Sequence, residues 1–534
     1  MGFQDFLYLS SQALGFYFTI PTATKVAILL ITFLFFWYER ETRRRGALLP
    51  PGPRPWPVVG NLPELIYNPP PYKWLHSLLT KYSSPIICVR LGSVHVIVVE
   101  NPELSSEILK KQDAIFASRP MTIGASYSSK GFLSVTLAPS GDQWKKMRRV
   151  LASEVLSPAR HRWLHVKRMK EADNIVHYIW CRCKCETNSF GLINVRNVAR
   201  HYTANVMRKL VFDRRYFGQG SVDGGPGSEE EEYVNACFKV VALEYNFSVS
   251  DYLPFLRRLD IGKEESKMKA AIDIVDNYHT PLIEERFRRR RGSANADTDE
   301  PRDLLDVLIL AKDSDGRPLL RLEEIKAQVA DLSYAALDSP SNATEWVLAE
   351  MLQQPEIMKK AVEEIDRVVG KDRLVDESDI SELNYVKACA KEALRLHPVA
   401  AFSVPHMSIE DATVAGYHIP KGSHVLVSRV GVGRNPKVWK EPLRFWPDRF
   451  MNDLPVQLHD NELRVLSFGT GRRGCTGVVL GTCMTVVLIA RLLQGFKWVP
   501  PSGGLNVEEA STDLSLANPL QALAAPRLPH HIYP

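Results

Sequence analysis

The eight cysteines, at positions 88, 181, 183, 185, 237, 389, 475 and 483, follow no regular spacing. That excludes a disulfide-stapled scaffold and fits a reduced, cytosol-facing chain. Cys181-x-Cys183-x-Cys185 has neither a second cysteine pair nor a histidine tract to complete a metal cluster, and reads as an incidental surface group. Net charge is equally scarce. With 67 basic and 61 acidic residues the chain carries +6, modest for 534 residues and no pointer to nucleic acid. A basic face for an acidic protein or an anionic membrane stays open. The densest basic run, 288–291, has no aromatic interleaved beyond Phe287, so it reads as a solvated helix end beside a polar loop. The N-terminus lacks both a basic leading region and a small-residue cleavage site after its apolar run, which argues against a cleaved secretory signal.

What is present is an ordinary globular composition, 45% hydrophobic and 24% charged, enough for a sizeable core. Residues 14–38 are largely apolar, most densely over 26–38, with Pro21 and Lys25 as interruptions. The whole stretch reaches the ~20 residues that a membrane helix needs. Arg43-Arg44-Arg45 follow, and the positive-inside tendency puts them and all that succeeds them in the cytosol. Residues 1–45 thus read as a membrane anchor with a basic flank. Residues 46–71 form a hinge around Pro50-Pro51-Gly52-Pro53-Arg54-Pro55-Trp56-Pro57, where fixed φ angles exclude helix and central strand. Residues 72–534 are the catalytic domain. Within it, 86–89 and 94–99 predict a hairpin of β-branched strands, and 116–141 an active-site loop. A helix over 141–149 puts Trp144 and Arg148 on one face, with Lys145, Lys146 and Arg149 on the other as a docking surface for an acidic partner. Segments 218–232 and 288–301 read as solvated loops, and 322–353 as one long helix kinked at Pro340.

The chemistry concentrates in Phe468-Gly469-Thr470-Gly471-Arg472-Arg473-Gly474-Cys475-Thr476-Gly477, which fits Phe-x-x-Gly-x-Arg-x-Cys-x-Gly at every fixed position and leads into an apolar run that reads as a buried helix. This arrangement suits thiolate ligation of a haem iron: Cys475 supplies the axial sulfur, whose electron donation favours O–O cleavage. Gly471 and Gly474 allow a tight turn beneath the porphyrin, Arg473 offers a fork of donors for a propionate, and Gly477 lets the next helix pass close. The segment resembles the haem-binding loop of cytochromes P450, and the resemblance extends over essentially the whole chain. It implies a mainly α fold with a smaller β region, preceded by a single N-terminal membrane-anchor helix in the endoplasmic reticulum. It implies haem b as cofactor, O2 as co-substrate, and electrons from NADPH through a flavin-containing reductase. Trp144 and Arg148, His406 in Val404-Pro405-His406, and Arg119 in Ala117-Ser118-Arg119-Pro120 are then haem-propionate contacts beside Arg473. Glu392, Arg395 and Arg449 form a buried charge network, and Asp338-Ser339 stand where the family carries an acid and a threonine that handle protons.

The segments Asp338-Ser339-Pro340-Ser341-Asn342, His397-Pro398-Val399-Ala400, Val404-Pro405-His406 and Leu492-Leu493-Gln494-Gly495-Phe496-Lys497-Trp498 are similar to one branch, the plant amino-acid N-monooxygenases that form aldoximes. That branch usually has Asn-Pro at Ser339-Pro340 and often Ser at Gly469. The implied reaction N-hydroxylates an L-amino acid twice and then dehydrates and decarboxylates it, with tyrosine the first choice of substrate and phenylalanine the second. The pocket walls are expected from 126–138, Phe247, 335–339, 399–404 and 514–517. Three other readings stay open at this point: carbon hydroxylation of another specialised metabolite, a reductase-independent isomerase or dehydratase of the same fold, and a haem carrier without turnover.

Overall fold

The computed structural model describes residues 49–534 apart from 185–190, 223, 293–299 and 511–512, together with 21, 22, 24–26, 28–30, 32, 33 and 36. β-Branched residues on either side of the Gly92 turn close into the expected hairpin. β1 (Ile86–Leu91) and β2 (Val94–Val99) pair antiparallel, Ile86 opposite Val99 and Leu91 opposite Val94. β1 is buried along its whole length, which its unbroken apolar run allows. Two later strands, β3 (His406–Met407) and β4 (His424–Val427), extend the sheet in the order β1-β2-β4-β3. The short edge strand β3 pairs antiparallel with β4, and β4 lies parallel to β2 with Val96 opposite His424. Ser118 and Met407 bridge along the edge, so the segment bearing Arg119 is fastened beside His406. The proline segment docks on the same sheet: the carbonyl of Pro51 accepts from Cys88 N at 2.9 Å, and Gly52 lies so close that a Cβ there would sit 1.8 Å from the Cys88 carbonyl oxygen.

Helices make the rest of the body. Those that shape the site are α1 (Asp142–Val150), α2 (Ser228–Glu244), α3 (Leu322–Ala335), α4 (Asp338–Gln353), α5 (Asn384–Leu396) and α6 (Val478–Gly495). Among the described residues α6 is the one helix long and apolar enough to cross a membrane, yet 78% of it is buried inside the molecule. It is apolar because α4, α5 and His165–Lys184 pack against it. The described residues between Thr22 and Phe36 are helical and expose Val26, Leu29, Phe33 and Phe36. The rest of the expected anchor and its arginine flank lie outside the described residues, as does Cys185 of the cysteine cluster.

Three expectations are corrected. The helix over 322–353 is two helices, α3 and α4, parted at Ala336 and Leu337. Pro340 falls in the first turn of α4, where a missing N–H has no intrahelical partner to lose. The acidic run at 229–232 is the first turn of α2 rather than loop; Glu230 is fully buried and paired with the equally buried Arg208. The arginine run 288–291 ends the helix Glu264–Gly292, and Arg290 is buried against Asp306 at 2.5 Å. Arg286 joins them, with 2.8 Å to Asp306 and 2.9 Å to Asp303, so part of this basic cluster is structural.

Candidate active site

The loop before α6 is built around its sulfur. Cys475 N donates to the Phe468 carbonyl at 2.8 Å and Gly474 N to that of Gly471 at 3.0 Å, which folds the chain back on itself. Gly477 N then points at the Cys475 sulfur, 3.2 Å away. Gly471 is obligatory on two counts: its φ is +68°, and a Cβ there would meet the Leu109 carbonyl oxygen at 2.0 Å. Burial pushes the Cys475 thiol up, while the Gly477 N–H and the Arg148 and Arg429 guanidinium groups pull it back. Cys475 is exposed, and it lines a cavity.

That cavity, about 290 Å³, is lined by Arg119, Trp144, Arg148, Asp338, Ser339, His406, Arg473 and Cys475, all eight residues expected from sequence. Cys475 is the only cysteine among its lining residues. Each side chain arrives by a different route. Trp144 and Arg148 come from one face of α1, and Arg148 donates to the Gly474 carbonyl at 2.7 Å. Arg473 spans to the 116–141 segment, donating to Ala117, Val135 and Ala138 carbonyls at 2.6, 3.2 and 2.6 Å, and lies 4.3 Å from the Trp144 ring centroid. That segment is not all loop but contains a helix at Ile123–Ser128. Arg119 donates to the carbonyls of Thr136, Val404 and Pro405.

The electrostatics ask for an anion. No carboxylate pairs with Arg119, Arg148 or Arg473 among the described residues. Desolvation, then Arg119 and Arg148, push Arg473 down to about 8. Desolvation holds Arg119 at about 10, with Arg429 adding to the effect. A guanidinium keeps its proton in a protein, so this strain is relieved by a negatively charged occupant. Trp144 Nε1 is buried with no acceptor, which points the same way. A dianionic porphyrin above a thiolate sulfur fits this donor set. His406 is the less ready partner. Its Nδ1 meets the Phe116 carbonyl at 2.8 Å, and burial with Arg119 pushes the ring down to about 3, which leaves Nε2 unprotonated until a carboxylate offsets those cations.

The opposite wall is where α3 meets α4. Ala335, Ala336, Asp338 and Ser339 line the cavity there, and burial pushes the Asp338 carboxyl up to about 6 against the pull of Arg200. A second cavity of about 390 Å³ adjoins, sharing Arg119, Glu244, Tyr245, Asp338 and Val404 with the first, and is walled by Leu137, Phe247, Phe402 and Leu514. The expected wall segments therefore converge. Sequence reasoning missed Glu244, Tyr245, Asp331 and Arg429, which are single polar residues in stretches without a motif. On the outer face, Lys145 stays exposed, but Lys146 is held by Glu324 at 2.9 Å and is not a free docking charge.

The glutamate of the predicted charge network is fully buried. Arg395 grips Glu392 bidentately at 2.7 and 2.8 Å, Arg449 adds 3.0 Å, and Trp446 N adds 2.9 Å. His161, Glu377 and Cys483 also stand together, each offering a ligand atom within 4.8 Å of the others. A metal is excluded there, because Arg168 already occupies Glu377 at 2.6 and 2.7 Å and approaches His161 Nε2 at 3.2 Å. Cys483 is buried in α6 and does not line the cavity.

A family model described as Cytochrome P450 matches residues 50–523. The chain belongs to the cytochrome P450 family. The P450 is 52% identical to the tyrosine N-monooxygenase of Sorghum bicolor over 91% of this chain and 87% of that one. It is 51% identical to valine N-monooxygenase 1 of Manihot esculenta over 91% of this chain and 89% of that one. Among solved structures, a zebra fish cytochrome P450 superposes with a TM-score of 0.70 at 24% identity, covering 86% of this P450 and all of the other, which shows the fold. The P450 is thus a reductase-dependent monooxygenase whose cofactor is haem held through a cysteine thiolate.

Proposed function

We propose that this P450 N-hydroxylates an L-amino acid twice, the product then losing water and carbon dioxide to give the aldoxime. Tyrosine is the first choice of substrate and phenylalanine the second. Such an aldoxime is an entry compound for cyanogenic glucosides and related defence products. The observation that carries the reading is a haem-thiolate cavity in a chain about half identical, over nine-tenths of its length, to relatives named for N-oxidation of amino acids. The near-equal identity to a tyrosine and a valine enzyme means that overall likeness alone does not choose the side chain.

In this reading Cys475 is the axial iron ligand, with Gly477 N–H tempering the sulfur. Arg119, Trp144, Arg148 and Arg473 hold the propionates, and His406 joins once those carboxylates offset its cationic neighbours. When bound, the haem supplies oxygen activation with electrons from NADPH, through a reductase on the cytosolic face. Asp338, whose carboxyl is raised to about 6 by desolvation, takes and releases protons beside the oxygen site, and Ser339 positions the water that carries them. Phe247, Phe402 and Leu514 exclude bulk water from the reacting amine. Residues 1–45 form a single-pass anchor in the endoplasmic reticulum membrane, 46–71 the hinge, and 72–534 the catalytic domain on the cytosolic side. The outward apolar side chains of the helical residues at 26–36 support that anchor.

The deciding experiment is turnover in membranes supplied with reductase and NADPH, offering each protein amino acid and measuring aldoxime. NADPH-dependent formation of a carbon-hydroxylated product without aldoxime would refute the proposal.

A further inference from the structure

The cations lining the first cavity fall into two groups. Arg119, Arg148 and Arg473 are committed to backbone carbonyls of the Cys475 loop, the 116–141 segment and Val404-Pro405. Arg429 is not. Its guanidinium has no carboxylate partner and no protein acceptor among the described residues, and its Nε is buried without any partner. The backbone beneath it is fixed nonetheless. Ser428 N donates to the Val99 carbonyl at 2.8 Å and Arg429 N to that of Ala401 at 2.9 Å, so the residue leaves the end of β4 from a rigid base. Ser428 Oγ also caps the following turn through Gly431 N at 2.7 Å.

We propose that Arg429 binds the α-carboxylate of the amino-acid substrate. The inference rests on the N-monooxygenase reading. A half-buried guanidinium whose Nε is buried without a partner is costly to leave without an anion, and a planar carboxylate is its best bidentate partner. The haem does not account for Arg429 in this reading, since Arg119, Arg148, Arg473 and Trp144 would hold its two propionates. Arg429 lines the same cavity as Tyr245 and Asp338, and its charge draws down the Tyr245 hydroxyl and the Asp338 carboxyl, which burial pushes up, as it does the Cys475 thiol. An α-amino acid carries one group of each sign. With its carboxylate on Arg429, its ammonium is directed to the side of the cavity that holds Asp338 and Glu244, two half-buried acids. That orientation brings nitrogen, and not a side-chain carbon, to the oxygen site beside Ser339. Arg429 would therefore select amino acids over the corresponding amines whatever the side chain.

The test uses full-length holoenzyme carrying Arg429→Gln or Arg429→Lys. Binding is read from the substrate-induced shift of the haem spectrum, with L-tyrosine, L-phenylalanine, tyramine and phenethylamine as probes. Loss of a charged hydrogen-bonded contact should weaken amino-acid binding about ten- to a hundredfold in Arg429→Gln, with the two amines unaffected and the reduced carbon-monoxide spectrum intact. Arg429→Lys should recover part of the loss. Unchanged amino-acid affinity in Arg429→Gln would overturn the inference. So would loss of haem from both variants, which would make Arg429 a propionate contact. Failure of the wild-type enzyme to bind or oxidise any amino acid would instead sink the N-monooxygenase reading, and this one with it.

Discussion

Replacing Glu392 by Gln should uncouple the 433–449 segment from α5. Glu392 is fully buried and is the only acidic partner that Arg395 and Arg449 have among the described residues. Its two oxygens accept four hydrogen bonds, from Arg395 twice, Arg449 and Trp446 N. Glutamine keeps one acceptor oxygen and turns an amide against guanidinium donors, leaving two buried cations without an anion. Breaking a buried pair in this way costs about 3–5 kcal/mol, a large part of the ~5–15 kcal/mol that holds a domain together. If that contact is lost before the unfolding barrier, inactivation accelerates about a hundredfold or more. Arg395→Met should be worse, because it also strands the carbonyls of Gly433, Pro442 and Arg444. The assay is the rate at which the thiolate carbon-monoxide spectrum decays on mild heating, since a cofactor-bearing protein does not unfold in two states. Both variants decaying at the wild-type rate would refute the argument that this network carries stability.

Cys475→Ser should abolish the thiolate carbon-monoxide spectrum while Cys483→Ser keeps it, and the reverse pattern would overturn the assignment. Gly471→Ala should cost haem content outright, because the added methyl meets both a positive φ and the Leu109 carbonyl; normal haem occupancy by pyridine-haemochrome assay would contradict this. Ser339→Asn should keep aldoxime formed per NADPH near the wild-type value and Ser339→Ala should lose only modestly, whereas peroxide release from Ser339→Asn would show that the hydroxyl itself relays protons.

What the sequence made legible were sites fixed by several residues at once. Five set positions around Cys475, or Glu392-x-x-Arg395 answered by Arg449, leave few alternative structures, and the side chains meet as expected. Charge patterning read badly because its meaning depends on distant partners. The four glutamates at 229–232 look solvated until Arg208 is packed against Glu230, and Arg290 looks like surface until Asp306 is placed beside it. Glu244 and Arg429 were invisible for a related reason. A lone polar residue in an apolar stretch announces nothing until the fold turns it into a cavity.

The break between α3 and α4 shows how one proline reorganises a site. Pro340 has no N–H, so the Ala336 carbonyl has no donor four residues on. A kinked continuous helix would carry that loss in its interior. Ending α3 at Ala335 and restarting at Asp338 moves Pro340 into a first turn, where the N–H would have been idle. Ser341 Oγ then donates back to the Leu337 and Asp338 carbonyls at 2.8 and 3.0 Å and locks the restart. The opening over the cavity is therefore held by backbone and by Ser341, not by the side chain at 339, for which no hydrogen bond is seen among the described residues. A position freed from holding the groove open can vary in chemistry, and this is why an amide at 339 should serve a substrate that brings its own ionisable amine.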